Sequence, residues 1–160
     1  MRRRILTVLP QHPWLVYESS ETLLGYVYAT THRERAAYRW SVDVAAYVRA
    51  DAQRRGIARA LYTALFEIVA LQGYRNAYAG VTLPNPSSVA LHKAMGFEQV
   101  GIYHQVGYKF GEWHDVAWFE RPLAEHVLEP SEPVAFSKLA GTREAMAAMA
   151  RAEGLLRQTY

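Results

Sequence analysis

Residues 51–62 read DAQRRGIARALY, and this stretch decides how the chain is interpreted. Arg54, Arg55 and Arg59 surround Gly56 at the point where a loop is predicted to become a helix. Clustered like charges repel each other and glycine is a poor helix former, so a bound anion is expected to compensate. The free N–H groups and the positive dipole end of a helix start attract phosphates, and a glycine leaves room for one. The stretch predicts a phosphate-binding helix start; the alternative is a solvated, arginine-rich helix start without function.

The elements on both sides of this stretch follow from hydrophobic periodicity. Apolar residues recur at helical spacing from Gly56 to Gln72, and Gly73 is suited to end that helix. Before it, residues 39–48 (RWSVDVAAYV) alternate, which predicts a long strand with Val42 on one face and Asp43 on the other.

The rest of the chain is predicted to supply further strands and helices. A short helix over residues 2–9 precedes a hairpin over 13–30; a strand (76–83), a helix starting after Asn85, and two strands split at Gly111 follow residue 73. This order predicts an α+β fold on a mostly antiparallel sheet. A linker and a helix over residues 142–159 come last, and the apolar residues expected to let that helix cover exposed sheet are Met146, Met149 and Leu156.

Composition limits the class of protein. The chain has 160 residues, 51% of them apolar and 21% charged, as expected for one ordinary globular domain. The absence of cysteine excludes disulfides and thiolate sites, and the histidines show no metal-binding helical spacing, so no metal is expected. No apolar run approaches membrane-spanning length and no signal peptide is recognisable, so a cytoplasmic protein without a membrane partner is expected. The net charge of +3 favours a small anionic ligand and no nucleic acid.

Several motifs resemble one enzyme family. Residues 53–58 (QRRGIA) match the Q/R-x-x-G-x-G/A signature of the GNAT acyl-CoA N-acyltransferases. The segments HPWLVYES (12–19), ATTHRERAAYRW (29–40), LPNPSSVALHKAMGF (83–97) and GYKFGEWHDVAWF (107–119) resemble phosphinothricin and methionine sulfoximine N-acetyltransferases. This resemblance implies a GNAT domain over residues 1–123, with 124–160 as linker and additional helix. It also implies acetyl-CoA as the donor, the amine of a small amino acid as the acceptor, and a homodimer.

The resemblance carries the family's CoA site onto two strand-to-helix segments. Its backbone and side-chain contacts correspond to Ala46, Tyr47, Val48, Arg54, Arg55, Gly56, Ile57, Ala58, Arg59 and Asn85. An acyl-pantetheine arm can pair with the edge of a strand while its pyrophosphate caps the next helix. Asn85 is equally well explained as a helix N-cap. Ser88, one turn further on, is predicted to face the cofactor, and a solvent-facing serine is the alternative.

Asp43 is the predicted general base. Aspartate is depleted in strands, and a carboxylate among apolar neighbours needs a partner or a chemical role. An amino acid arrives mainly as its ammonium form, which has no lone pair to attack a thioester, so the reaction needs a base. Glutamate generally holds this position in the family, and the shorter Asp43 is expected to need a bridging water. The alternative is a structural hydrogen bond to a neighbouring loop, or a pair with Arg39 or Arg35.

His92 is the predicted second catalytic residue. It lies four residues before Gly96, where many GNAT enzymes carry a tyrosine that protonates the departing thiolate, and where the phosphinothricin enzymes also carry histidine. Histidine exchanges protons near neutral pH. The alternative is a helix-surface histidine beside Lys93.

The acceptor is expected to bind at the loop before the strand of Asp43. Arginine forks suit a carboxylate or phosphinate, although a charged loop can simply be solvated. The residues predicted to contact the acceptor are Arg33, Arg35, Tyr38, Tyr62 and Thr82. Tyr62 is explained equally well as a core residue.

The family normally places a strand and two helices before the position of Met1. The expectation is therefore either a misassigned or truncated start, or a missing wall of the acceptor pocket that residues 142–159 replace. A CoA-binding protein with weak or lost catalysis is the alternative function, and a nucleic-acid-associated basic domain is a third.

Overall fold

The computed structural model of the protein describes residues 1–157. The elements are α1 (Arg2–Val8), β1 (Trp14–Ser19), β2 (Thr22–Thr31), β3 (Ser41–Val48), α2 (Ile57–Gln72), β4 (Asn76–Thr82), α3 (Pro86–Ala94), β5 (Glu98–Lys109), β6 (Glu112–Pro122), α4 (Phe136–Leu139) and α5 (Arg143–Arg157). The predicted order of strands and helices is confirmed. The single turn α4 lies in the segment predicted as a linker, and the last two residues of the predicted final helix, 158–159, lie outside the described residues.

The six strands form one sheet in the order β1-β2-β3-β4-β6-β5. Every neighbouring pair is antiparallel except β3 and β4, which are parallel and joined through α2. Because the carboxyl ends of parallel strands meet at the same edge, the chain leaves β3 toward α2 and β4 toward α3 on the same side of the sheet. The mostly antiparallel α+β prediction is therefore correct, and its one parallel pair lies next to both helix starts.

The two faces of the sheet differ in chemistry. Val42 and Val44 of β3 are buried in the same core as Leu65 and Ile68 of α2. Since side chains alternate along a strand, Asp43 points to the opposite face. On that face its neighbour in the β3–β4 register is Tyr78.

The carboxyl-terminal helix packs on α2. Ala148, Ala152 and Leu156 are buried in the main core, and Arg151 forms an ion pair with Glu67 of α2. The helix therefore lies on the α2 side and covers α2. The expectation that it covers exposed sheet is therefore wrong for its own chain, and coverage of a partner's sheet stays a prediction.

The apolar face of α5 is built mainly from alanines. The small alanine side chains let the two helices approach closely. Met146, predicted on the covering face, is 55% exposed, so that part of the prediction is wrong.

Two structural findings concern membrane spans and metal sites. In the described part of the chain, no helix has the length and apolar character needed to cross a membrane. Across residues 1–157, no cluster of three or more histidine or acidic side chains is arranged to hold a metal ion.

Candidate active site

A crevice opens in the sheet between β3 and β4. The two strands pair at three successive positions, the last being Asp43 with Tyr78. Yet β3 continues to Val48 and β4 to Thr82. Beyond the Asp43–Tyr78 pair the strands no longer hydrogen-bond to each other, so the inner edge of each strand offers backbone groups to a ligand.

The direction of the β3 backbone identifies the groups that face this crevice. The Trp40 carbonyl accepts a hydrogen bond from the Arg75 N–H on the β4 side, at 2.8 Å. Since successive residues direct their N–H and C=O groups to alternate sides of a strand, those of Ala46 and Val48 also face β4. Tyr47, between them, directs its backbone toward β2, where it pairs with Tyr26.

The start of α2 lies beyond the carboxyl end of β3. Gly56 precedes the helix with φ +77°, in the left-handed region that glycine adopts readily, and Arg54 also has a positive φ of +61°. No side chain caps the helix. Its first N–H groups, those of Ile57, Ala58 and Arg59, are therefore not satisfied by a side-chain cap, and the three arginines around them are exposed. This arrangement suits a phosphate.

The start of α3 is capped by a side chain. Oδ1 of Asn85 accepts the backbone N–H of Ser88 at 3.0 Å, so the N-cap interpretation of Asn85 is confirmed. Ser88 is half-buried, and its carbonyl accepts a hydrogen bond from Nδ1 of His92 at 2.7 Å. Contact of Asn85 or Ser88 with a cofactor remains a prediction.

Asp43 is paired with a histidine that the sequence analysis did not select. Nδ1 of His32, on the loop after β2, is 2.6 Å from Oδ1 of Asp43. The expected pair with Arg39 is not formed, since Arg39 pairs with Glu132. The contact to His32 is a hydrogen bond to a neighbouring loop, which was the other alternative for Asp43. Burial raises the pKa of Asp43, and the hydrogen bond and charge of His32, with the charge of Arg33, partly oppose that shift.

His32 is held by aromatic rings from two strands. Its ring stacks on Tyr78 of β4, with centroids 4.3 Å apart and planes 18° from parallel. Trp118 of β6 contacts the same ring edge-on, with the two ring centroids 6.4 Å apart. The Asp43 side chain is 30% exposed and that of His32 is 14% exposed, so the pair lies at the boundary between sheet and solvent.

The loop from His32 to Tyr38 lines a cavity of about 530 Å³. Its lining residues are His32, Arg33, Glu34, Arg35 and Tyr38. The loop residues predicted to bind the acceptor, Arg33, Arg35 and Tyr38, therefore share one cavity. His32 belongs to it as well and carries the contact to Asp43. No local sequence signal marked His32, because its place beside Asp43 follows from the β2–β3 register: Thr30 pairs with Asp43, and His32 follows two residues later.

The chain resembles known proteins in sequence and in fold. The model of the "Acetyltransferase (GNAT) domain" family matches residues 1–118. That match covers more than half of the chain.

The chain belongs to the GNAT acetyltransferase family.

Relatives with curated names support a finer placement. The chain is 45% identical over 104 residues to a phosphinothricin N-acetyltransferase of Streptomyces coelicolor, a match that covers 65% of this chain and 61% of that relative. It is 31% identical over 115 residues to an L-methionine sulfoximine/L-methionine sulfone acetyltransferase of Salmonella typhimurium, covering 72% of this chain and 67% of that one. The chain thus spans less than two thirds of the Streptomyces coelicolor protein.

A solved structure has the same fold. The phosphinothricin acetyltransferase of Sinorhizobium meliloti, solved in complex with acetyl-CoA, superposes with a TM-score of 0.76 at 34% identity. The alignment covers 85% of this chain and 75% of that one.

In this GNAT domain, His92 lies in the core on the α2 side of the sheet, where its ring stacks on Phe119 of β6. It is 4% exposed, so the interpretation as a surface histidine beside Lys93 is wrong. Burial lowers the pKa of His92, which keeps the ring neutral at neutral pH. Its role as a proton donor remains a prediction.

Tyr62 is a core residue. Its ring is fully buried against Phe66, and its hydroxyl lies 3.1 Å from Nε2 of His92. The prediction that Tyr62 contacts the acceptor is wrong for this geometry, because its side chain reaches neither the cavity nor solvent. Thr82, at the end of β4, is exposed and follows the alternation of Tyr78, which places it on the Asp43 face.

Proposed function

We propose that the protein transfers an acetyl group from acetyl-CoA to the amino group of a small amino acid such as phosphinothricin or methionine sulfoximine. The observation that carries this proposal is the relation between crevice and cavity. The crevice between β3 and β4 closes at Asp43, and the Asp43–His32 pair joins that point to the arginine-lined cavity. A thioester and an amine bound in these two spaces would meet at the pair.

The residues of the crevice fit acetyl-CoA. Pantetheine is a chain with amide groups, and the inward-facing backbone of Ala46 and Val48 offers donors and acceptors to such a chain. A pyrophosphate would bind at the uncapped start of α2, where Gly56 leaves the backbone accessible. Arg54, Arg55 and Arg59 add positive charge around it. When bound, acetyl-CoA supplies the activated acetyl group.

The cavity fits a small amino acid. Arg33 and Arg35 present guanidinium groups suited to a carboxylate or phosphinate. Its volume of about 530 Å³ matches a small ligand. The charge of these arginines therefore favours acceptors that carry an acidic group close to the amine.

The transfer removes two protons from the acceptor's ammonium group. The first N–H bond breaks before the reaction, and the freed electron pair attacks the thioester carbonyl carbon. The C–S bond then breaks, and the nitrogen gives up its second proton to the departing sulfur, which leaves as the CoA thiol. Asp43 with its partner His32 is the site that we assign to proton removal. His92 is poorly arranged to protonate the sulfur, because the proton of its neutral ring lies on the Ser88 carbonyl.

We also propose a homodimer that joins at the β5–β6 hairpin. Large apolar side chains on this hairpin are exposed, among them Tyr108 at 63%, Phe110 at 89% and Trp113 at 61%. Contiguous exposed apolar surface of this kind is typical of a protein interface. Sedimentation analysis of the wild type and of Phe110→Asp tests this: a dimer and a monomer are expected, and a monomeric wild type contradicts it.

The test of the function combines binding and product analysis. Calorimetry measures the affinity for CoA, and mass spectrometry then identifies N-acetylated products from acetyl-CoA and a panel of free amino acids that includes phosphinothricin and methionine sulfoximine. We expect the protein to bind CoA and to acetylate amino acids such as phosphinothricin and methionine sulfoximine. CoA binding without any product supports a CoA-binding protein without catalysis, and no CoA binding contradicts the proposal.

A further inference from the structure

We propose that Nε2 of His32 is the atom that takes the proton from the acceptor's amino group, and that Asp43 is a positioning residue that acts through His32. This inference rests on the proposed acetyl transfer and assigns its base. It differs from the role of Asp43 predicted from the sequence.

The contact with Asp43 fixes the tautomer of His32. Nδ1 lies 2.6 Å from the Asp43 carboxylate, and an ionised carboxylate can only accept a hydrogen bond. The proton of the neutral ring is therefore on Nδ1, which leaves a lone pair on Nε2. Within residues 1–157 no hydrogen bond is made to Nε2. The histidine thus holds its basic nitrogen free, while Oδ1, one of the two carboxylate oxygens of Asp43, is already engaged.

The ring of His32 also has a fixed orientation. Tyr78 stacks on one face and Trp118 meets the ring from the side, while Asp43 holds one end. A base must be held within hydrogen-bond reach of its proton, and a ring fixed by three contacts loses little freedom when a substrate binds.

His32 lies in the proposed acceptor site. His32 lines the same cavity as Arg33 and Arg35. An α-amino acid has its amino group two bonds from its carboxylate carbon. A carboxylate bound by these arginines therefore brings the amine into the cavity that His32 lines.

Histidine is also the side chain that most often acts as a general base in enzymes. The charged or titratable groups around His32 are Asp43 on β3, Tyr78 on β4, Glu120 beside Tyr78 on β6, and Arg33 and Glu34 on its own loop. Asp43 is the one bonded to the ring, so it stabilises the imidazolium that forms.

The proton has a complete path. The N–H bond of the ammonium breaks and an N–H bond forms on Nε2 of His32. The amine then attacks the thioester carbonyl, the C–S bond breaks, and the second N–H proton passes to the departing thiolate, which leaves as the CoA thiol. The imidazolium returns the proton to solvent through the cavity, since the His32 side chain is partly exposed.

His32→Asn is the decisive variant. An asparagine amide N–H replaces Nδ1–H as the donor to Asp43, so the local structure is kept, but no basic nitrogen remains. We expect kcat to fall by ~10²-fold or more, with CoA affinity and urea stability close to the wild type. The acid limb of the wild-type pH–rate profile should be absent. His126→Asn, on an exposed segment, is the matched control and should leave the kinetics unchanged.

Asp43→Asn separates the two roles. We expect a smaller loss of kcat than in His32→Asn and an acid limb shifted to lower pH, because the imidazolium loses its carboxylate partner. The double variant should be no slower than His32→Asn alone. If His32→Asn keeps both the rate and the acid limb while Asp43→Asn loses them, Asp43 is the base and the inference is wrong. If the wild type acetylates no acceptor, the proposed function itself fails, and this role with it.

Discussion

The Tyr62 hydroxyl and Nε2 of His92 form a hydrogen bond of 3.1 Å inside the packing between α2 and α3. Nδ1 of His92 donates to the Ser88 carbonyl, so Nε2 is the acceptor and Tyr62 the donor. Both side chains lie on the α2 side of the sheet, whereas Asp43 and His32 lie on the opposite face. The pair therefore stabilises the core, and the base assigned to the reaction lies across the sheet from it.

Tyr62→Phe tests the structural role of this pair. The variant leaves Nε2 of His92 buried without a donor, which should lower the free energy of unfolding by about 1–3 kcal/mol. Urea denaturation measures it, and acetyl-transfer rates at saturating substrates should change little. Tyr17→Phe, on β1 and away from the proposed dimer interface, is the control. A kcat loss without a stability loss would instead support a catalytic role for Tyr62 and His92.

Gly56→Glu tests the phosphate site. The substitution adds a side chain and a negative charge at the start of α2, and CoA affinity measured by calorimetry should be lost. Gly73→Glu is the matched control: it too has positive φ, at the other end of the same helix, and its Cβ would make ordinary contacts. Both variants should lose similar stability. Equal CoA affinity in the two variants would show that no phosphate of CoA binds at the start of α2.

Arg35→Gln tests the acceptor cavity. Losing one guanidinium should raise KM for amino acids while kcat and CoA affinity stay close to the wild type, because the lost interaction holds the acceptor carboxylate. Arg143→Gln, on α5, changes the net charge equally and should leave KM unaltered. With an acceptor amine that lacks the carboxylate, Arg35→Gln and the wild type should have the same KM. A KM difference that persists there would show that Arg35 acts in some other way.

His12 should make the fold sensitive to acid. It is buried between Tyr74 and Thr31, and burial lowers its pKa to about 4 from 6.5. Between these two pKa values, His12 binds a proton in the unfolded chain but not in the folded protein. This contribution to the free energy of unfolding is fully present above pH 6.5. It is lost as the pH falls toward 4, by roughly 3 kcal/mol at most. His92, whose pKa is also lowered by burial, acts in the same direction.

Urea denaturation of the wild type and of His12→Gln between pH 7 and pH 4 measures this effect. The variant should lose less stability over this range, because one titrating group is gone. His126→Gln, on an exposed segment, is the control and should follow the wild type. An identical acid dependence in all three proteins would contradict the role of His12.

Much of the fold was predictable because its signals are local. The alternation around Asp43, the helical spacing from Gly56 to Gln72 and the left-handed Gly73 each depend on a few neighbouring residues. The strand order and the crevice were not accessible in the same way. They depend on pairing between strands that are distant in sequence, and no residue of β3 or β4 indicates where the β3–β4 pairing stops.

The candidate site was predicted in part for the same reason. Arg33, Arg35 and Tyr38 are close in sequence and also share a cavity. His32 was missed because its bond to Asp43 depends on the register of β2 against β3. Tyr62 was misplaced as an acceptor contact because a helical pattern gives the buried face but not which side of the sheet that face covers.

The central claim is tested most directly by the initial rate of CoA thiol release from acetyl-CoA, with and without L-phosphinothricin. The account predicts that release depends on the amino acid, saturates with its concentration, and matches the formation of N-acetylphosphinothricin one to one. Thiol release that is the same with and without any amino acid acceptor would contradict the account.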